Sequence, residues 1–375
     1  MQIEKISITG LFGMFNHVIP LNTKEGITII HGPNGFGKTT ILRILYDLFG
    51  SRSGALTRVP FSQFRVDFSP QIFLIADRLN TSVSFHDSEG STTFNAEIYS
   101  STHIYLIESQ RLIDTSYVSF TNDINVTTPI VEQYSNKMKD SIRKHLTEYG
   151  VISQSLDRTF LSRAFTHDIQ PEASQNNLQE RIEELEITQS QLIAVGLLEE
   201  DSTFKFPSLS QIFTENVSDT SSKRILSIYV DDAEKKLHVF HDLSKKMELF
   251  QRLINQKFSC SHKEIDFSKN DGFVLKVKDG TFNREGADLR PIHLSSGEQH
   301  ELIMLYELLF KIEPGSLVLI DEPELSLHVG WQVDFLKDLQ AIIKLTNIQI
   351  LMATHSPDII QDRWDLTVEL KGPQA

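Results

Sequence analysis

"HGPNGFGKTTIL", residues 31–42, is the stretch on which the fold turns. Gly32 and Gly37 with Lys38 and Thr39 fit G-x-x-x-x-G-K-[ST], a pattern that a chain of this length and ordinary composition contains by chance about one time in a hundred. Its surroundings fit as well. "GITIIH", residues 26–31, is a short β-branched apolar run of the buried-strand kind, and "TTILRILYDLF" sets Ile41, Leu42, Leu45, Leu48 and Phe49 at helical spacing. Strand, glycine loop and helix are the setting in which Gly32, Gly35 and Gly37 let the backbone turn tightly. Successive N–H groups then point inward, where they and the helix N-terminus favour an anion. Lys38 is expected to reach the β- and γ-phosphates of a nucleotide, and the Thr39 hydroxyl to ligate Mg²⁺. Asn34, Gly35, Gly37 and Thr40 are counted with them as nucleotide contacts. The competing reading is a glycine-rich turn with no ligand.

A second set of polar residues ends apolar runs near the C-terminus. "SLVLIDEPELSLH" starts as a buried strand and ends in Asp321 and Glu322. Carboxylates at the end of a parallel strand lie near the phosphate loop in such sheets, so Asp321 is read as a Mg²⁺ ligand. Glu322 is read as the group that orients or deprotonates the attacking water. The bland alternative is two acids capping the next helix. "NIQILMATHSP" is a third such strand, ending in Thr354 and His355 where a γ-phosphate contact would be useful. His355 alone could equally be a structural side chain.

With 375 residues, 40% hydrophobic and 23% charged, the chain has the composition of a globular protein with two or three cores. Its net charge of −14 argues against a strongly basic nucleic-acid binder. One basic cluster, "SNKMKDSIRKH" with Lys137, Lys139, Arg143 and Lys144, is a local DNA-contact candidate or simply a solvated helix face. Cys260 is the single cysteine, so no intramolecular disulfide can form. "MQIEKISITG" is not a secretory leader, and no apolar run approaches about 18 residues, so the expectation is a cytoplasmic protein without a membrane span.

The rest of the chain is uneven. "IEKISITGLFGMF" with "HVIPL" predicts a hairpin, and "FRVDF", "IFLIA", "TSVSFH", "TFNAEIYS" and "HIYLIE" predict an antiparallel patch over residues 61–107. From Pro129 the texture is helical and polar. Leu178, Ile182, Leu185, Leu192 and Val195 form one stripe, and Leu237, Phe240, Leu243, Met247, Phe250 and Ile254 another. Both are read as packing within a helical subdomain. Asn270-Asp271-Gly272 reads as a hairpin turn.

Between the insertion and the acidic strand lies "HLSSGEQH", residues 293–300, leading into the apolar run "ELIMLYELLFKI". Ser295 or Ser296 could cap a helix starting near Glu298. Here the sequence resembles the heads of ABC-type ATPases. Leu294, Ser295, Ser296, Gly297 and Glu298 look like the family's signature in the form used by its SMC and RecF-like branches. The resemblance implies an α/β P-loop ABC-type ATPase head with an antiparallel β subdomain and a helical insertion. It divides the chain into a first head segment (1–115), the insertion (116–265) and a second head segment (266–375).

It also implies ATP and Mg²⁺, and a homodimer or higher homo-oligomer in which each ATP lies between one head's phosphate loop and the other's Ser295, Ser296, Gly297 and Glu298. Gln110 resembles the Q-loop glutamine, which contacts Mg²⁺ and the attacking water. Glu322, His355 and Gln110 are then the catalytic set, with Thr39, Asp321 and Gln110 at the metal. His328 stands where transporters of this family have an aspartate. Phe12 and Phe15 are candidates to stack on adenine, or core residues.

"DEPELSLH", "LSSGEQHELIMLYELL" and "THSPDII" look most like the OLD and RecF-like ATPases, many of which act in DNA repair or anti-phage defence. OLD proteins proper carry a Toprim nuclease domain after the ATPase, whereas only "QDRWDLTVELKGPQA" follows Ile360. The resemblance therefore implies a separate effector protein such as a nuclease. The alternative is a RecF/SMC-like ATPase that clamps DNA in its ATP-bound dimer. A transport-coupled head fits less well, because of the insertion and of Glu298 where those heads have glutamine.

Overall fold

Ile27, Ile29 and Ile30 are wholly excluded from solvent and Thr28 nearly so, so strand β3 (Ile27–His31) is covered on both faces. That is the position its unbroken apolar run requires, since strands of a parallel sheet are packed from both sides. Its neighbours are β12 (Thr367–Glu369) and β11 (Gln349–Ala353), followed by β10 (Leu317–Asp321) and β7 (Ile104–Ile107). All four pairings in this five-stranded sheet are parallel. The computed structural model describes residues 2–50, 58–69, 72–77, 82–86, 102–108, 129–166, 175–199, 220–277, 290–325 and 327–372. The chain divides into two compact units, residues 1–118 with 295–375 and residues 119–294.

In the first unit, helix α1 (Lys38–Phe49) follows the glycine loop and buries Ile41, Leu42, Ile44, Leu45 and Leu48. These meet the inner face of an antiparallel sheet ordered β2 (Phe15–Pro20), β1 (Gln2–Leu11), β4 (Gln63–Ser69), β5 (Ile72–Asp77) and β6 (Ser82–His86). Period-two alternation supplies that face: Ile6, Ile8, Leu11, Phe64, Val66, Phe68 and Leu74 point into one core with α1, while their neighbours are more exposed. The predicted hairpin is β1 with β2, Lys5 facing Pro20.

One expectation is corrected. "HIYLIE" does not join the antiparallel patch: Ile104–Ile107 is the edge strand of the parallel sheet, in register with Leu317–Ile320. A short apolar run carries no mark of its partner's direction, and pairing with β10 decides it. "TFNAEIYS" and Gln110 lie outside the described residues. Helices α6 (Ser296–Tyr306), α7 (Val329–Thr346) and α8 (Pro357–Ile360) complete the unit, with a π-helical turn, Glu307–Lys311, continuing α6.

The second unit holds α2 (Ile130–Thr166), α3 (Gln175–Ala194), α4 (Thr220–His238), α5 (His241–Phe258) and the hairpin of β8 (Lys263–Ser268) with β9 (Gly272–Val277). Both apolar stripes are buried here, Phe240, Met247, Phe250 and Ile254 completely, so they serve packing. The second stripe spans two helices that part between His238 and His241, where Phe240 is fully buried. Arg163 of α2 makes a two-pronged contact with buried Asp232 of α4, at 2.6 and 2.7 Å. Lys137, Arg143 and Lys144 are exposed on α2, flanking buried Met138 and Ile142.

The β8–β9 hairpin, which the sequence reading divides between insertion and second head segment, packs on these helices. Ser135 of α2 holds its turn: Oγ donates to the Asp271 carbonyl at 2.8 Å and accepts from the Phe273 N–H at 2.9 Å. Gly272 has φ +77, and a Cβ there would overlap the Ser135 carbonyl oxygen. Backbone and sterics thus both require glycine. Gly272→Ala is expected to destabilise this unit by about 2 kcal/mol or more. Urea denaturation followed by far-UV circular dichroism checks this, and an unchanged midpoint would contradict it.

Candidate nucleotide site

The loop between β3 and α1 is closed by its own lysine. Lys38 is 5% exposed, and its Nζ donates to the Gly32 carbonyl at 2.8 Å and the Pro33 carbonyl at 3.2 Å. Burial pulls its pKa below the ordinary lysine value, while Glu322, Asp321 and Glu324 pull it the other way. Gly37 precedes the helix with φ +90, its Cα against the Leu11 side chain, where a Cβ would collide. The first turn of α1 has no side-chain cap and no acidic residue. The first N–H groups of the helix, which have no carbonyl one turn back, are therefore suited to an anion, with no acid of their own turn to compete. At the other side the loop is open: Asn34 and Gly35 are exposed, and nothing lies within 4 Å of a Cβ built on Gly35.

Aromatic rings back the loop. Phe36 packs on Phe15 with centroids 5.1 Å apart, and Phe15 stacks on His17 at 5.7 Å. Phe15 is 6% exposed and belongs to the core, whereas Phe12, with φ 54 and 37% exposed, stands at the surface beside Gly37. His17 Nε2 lies 3.1 Å from the Phe36 carbonyl and must carry the proton, since that oxygen can only accept.

Opposite the loop, Thr39 Oγ1 donates to Asp321 Oδ1 at 2.9 Å. Burial raises the pKa of Asp321 foremost; the Thr39 hydrogen bond lowers it, Glu322 raises it, Arg43 lowers it and Glu108 raises it. Glu322 takes a left-handed backbone, φ 46, fixed by its N–H donating to the Ala353 carbonyl at 2.9 Å. Such a conformation costs a non-glycine residue about 1–3 kcal/mol, and the carboxylate it carries stands beside His355. It lies 3.7 Å from His355 Nε2. Because β11 separates β3 from β10 in the sheet, Thr354 and His355 emerge between the loop and the two acids.

Ser295 is the N-cap of α6. Its N–H and Oγ both donate to Glu298 Oε2, at 2.8 and 2.9 Å, completing a capping box. Glu298 is buried, its carboxylate turned back to the cap; Ser295 and Ser296 are exposed and Gly297 partly so. The structure brings Lys38, Thr39, Asp321, Glu322 and His355 together. Sequence reasoning missed Glu324, Arg43 and Gln332; the third acid of "DEPE" was the available signal for the first. His328, which stands where transporters of this family have an aspartate, caps α7 by accepting from the Gly330 N–H at 3.2 Å.

The residues fit a magnesium nucleotide. A cationic Lys38, uncapped N–H groups and an open mouth suit phosphates, and the paired oxygens of Thr39 and Asp321 are the hard donors Mg²⁺ takes. Parallel sheet, phosphate loop and acidic strand end define a P-loop ATPase of the ABC type. The chain belongs to the family described as "AAA domain, putative AbiEii toxin, Type IV TA system", which matches residues 27–361, from β3 to just past α8.

The curated proteins similar to it include the following two. The Septu protein PtuA of Bacillus thuringiensis is 24% identical over 367 residues, covering 96% of this chain and 73% of that protein. The "Retron Ec83 probable ATPase" of Escherichia coli is 28% identical over 169 residues, 41% of this chain and 29% of that protein. Among solved structures, the Smc head domain of Pyrococcus furiosus bound to the C-terminal domain of ScpA superposes with a TM-score of 0.45 at 14% identity, over 99% of this chain and 94% of that one.

His17 gives the loop a pH dependence. Burial is the larger influence and lowers its pKa from 6.5, against the opposing Phe36 hydrogen bond. The unfolded chain therefore takes up the proton first, and stability is lost as pH falls below 6.5 toward the folded-state value. His17→Gln keeps a donor for Phe36 and is expected to flatten that loss. Urea midpoints at pH 7.5 and 5.5 for both proteins test this; equal drops would remove His17 as a cause.

Proposed function

We propose that this chain hydrolyses ATP in composite sites formed head to tail by two copies. ATP-bound closure then switches a separately encoded effector in bacterial anti-phage defence. The observation that carries the reading is the convergence of Lys38, of Thr39 with Asp321, and of Glu322 with His355 at the carboxyl ends of three adjacent parallel strands. Lys38 and the loop N–H groups offset phosphate charge. Mg²⁺, held by Thr39 and Asp321, with Gln110 as a further contact, would neutralise charge on the phosphate oxygens. Glu322 orients the attacking water and accepts its proton, and the ring of His355 fixes where that carboxylate stands. Ser295, Ser296 and Gly297, at the start of α6, supply the second anion cradle from the other copy. Loss of the terminal phosphate loosens that grip, and closure reverses.

The similarity to a Septu protein along 96% of the chain and to a retron ATPase supports the defence role. The DNA-clamp reading has one observation in its favour, the exposed Lys137, Arg143 and Lys144 on α2. It requires salt-dependent, ATP-stimulated DNA affinity that charge reversal of those residues removes.

ATP turnover per molecule should rise with protein concentration, and Glu322→Gln should lower it about 100-fold or more while ATP is still bound. Wild-type turnover in Glu322→Gln would displace Glu322 from its role. Ser295→Arg should retain ATP binding but lose the concentration-dependent gain and the ATP-induced dimer in light scattering. Normal turnover in that variant would argue against a composite site.

A further inference from the structure

Glu322 does not stand alone on its turn. Pro323–Leu325 is a short 3-10 turn whose Leu325 N–H returns to the Glu322 carbonyl at 3.2 Å, so Glu322 and Glu324 are carried by one hydrogen-bonded turn of backbone. The Glu324 carboxylate reaches across to the end of β11. Oε2 accepts from Thr354 Oγ1 at 2.8 Å, and Oε1 accepts from the His355 N–H at 2.7 Å. The contact is embedded in a polar cluster. Thr354 is wholly buried, and its hydroxyl also accepts from the Ser356 N–H at 3.0 Å. Ser356 Oγ donates to Gln332 Oε1 at 2.7 Å, and Gln332 Nε2 leans on the carbonyls of Glu324 at 3.5 Å and Leu327 at 3.4 Å.

We infer that Glu324 is a positioning residue for hydrolysis: with one carboxylate it clamps the Thr354 hydroxyl and the His355 N–H so that the His355 ring meets Glu322. The chemistry of the clamp calls for an acid. Two donors, a hydroxyl and a backbone N–H, arrive at different oxygens, and only a carboxylate offers acceptors at both; a glutamine amide turns N–H₂ toward one of them. A mere tether could be neutral. Glu324 instead adds a third negative charge to Asp321 and Glu322, within range to influence Lys38. The same turn thus sets both members of the Glu322–His355 pair, one through its own φ of 46 and the other through Glu324. Gln332 extends the support to α7, whose first turn follows the exposed Leu325 and His328.

The inference rests on the hydrolytic reading above, and its test separates the two. Glu324→Gln is expected to lower kcat about 10- to 100-fold, the usual loss when an outer-shell partner is removed, with ATP affinity within about twofold of wild type. In the His355→Ala background the same substitution should cost almost nothing further, because Glu324 acts through His355. Thr354→Val, which removes one donor and leaves the His355 N–H bond, should give a smaller loss, also measurable if Glu324→Gln folds poorly. Wild-type turnover in Glu324→Gln, or full additivity with His355→Ala, overturns the inference. If the wild-type protein itself fails to hydrolyse ATP, the functional reading falls. The amide resonance of His355 then decides: an upfield move in Glu324→Gln supports the clamp, and an unmoved resonance overturns it.

Discussion

A single hydrogen bond closes the site over 282 positions of sequence: Thr39, one residue into α1, to Asp321 at the tip of β10. It forms only if β3 and β10 end at the same level of the sheet, and the parallel register guarantees that. Ile30 lies beside Ala353, and Ala353 beside Asp321. The strands earn this level through burial, since a one-residue slip would carry Ile29, Val318 or Leu351 past their packing partners. Core packing therefore sets the level at which the strands end, and the polar contacts of Glu324 and Gln332 settle the side chains above it.

Electrostatics sharpen what packing arranges. One buried ammonium, Lys38, faces Asp321, Glu322 and Glu324 and leans on two backbone carbonyls. Desolvation pushes Lys38 and Asp321 in the directions that weaken their charges, and each is restored in part by its neighbours. A polyanion accompanied by a cation satisfies both imbalances together. Glu298 is different. Its carboxylate closes the cap on Ser295, so the start of α6 already has an acid against its N–H groups, whereas α1 has none. The two helix starts are thus unequal anion sites.

Much of this was legible in the sequence where a residue's role is local. The glycine loop, the buried strands and the acidic strand end announce themselves by spacing, and the two apolar stripes by periodicity. What remained hidden depends on partners distant in the chain. "HIYLIE" has the texture of the strands before it and joins the other sheet. Phe12 and Phe15 look equivalent until the core takes Phe15 and leaves Phe12 beside Gly37. Phe240 sits in an apparently continuous helical pattern, yet two helices part there, with its ring wholly buried. Glu324 reads as one more surface acid until β11 brings it Thr354 and His355.

The order of strands also bears on how the chain is made. The two partners of β3 are β11 and β12, about 320 residues later in the chain. At the usual pace of synthesis, about 5–20 residues per second, the phosphate-loop strand waits roughly 16–64 s for a neighbour. During that interval Ile27, Ile29 and Ile30 have no sheet to enter, while β1, β2 and β4 can already pair among themselves. The nascent head is then an antiparallel sheet trailing an unpaired apolar strand, a species on which chaperones act and which crowding turns toward aggregation. A product that stops before β10 lacks Asp321 and Glu322 and cannot assemble the site.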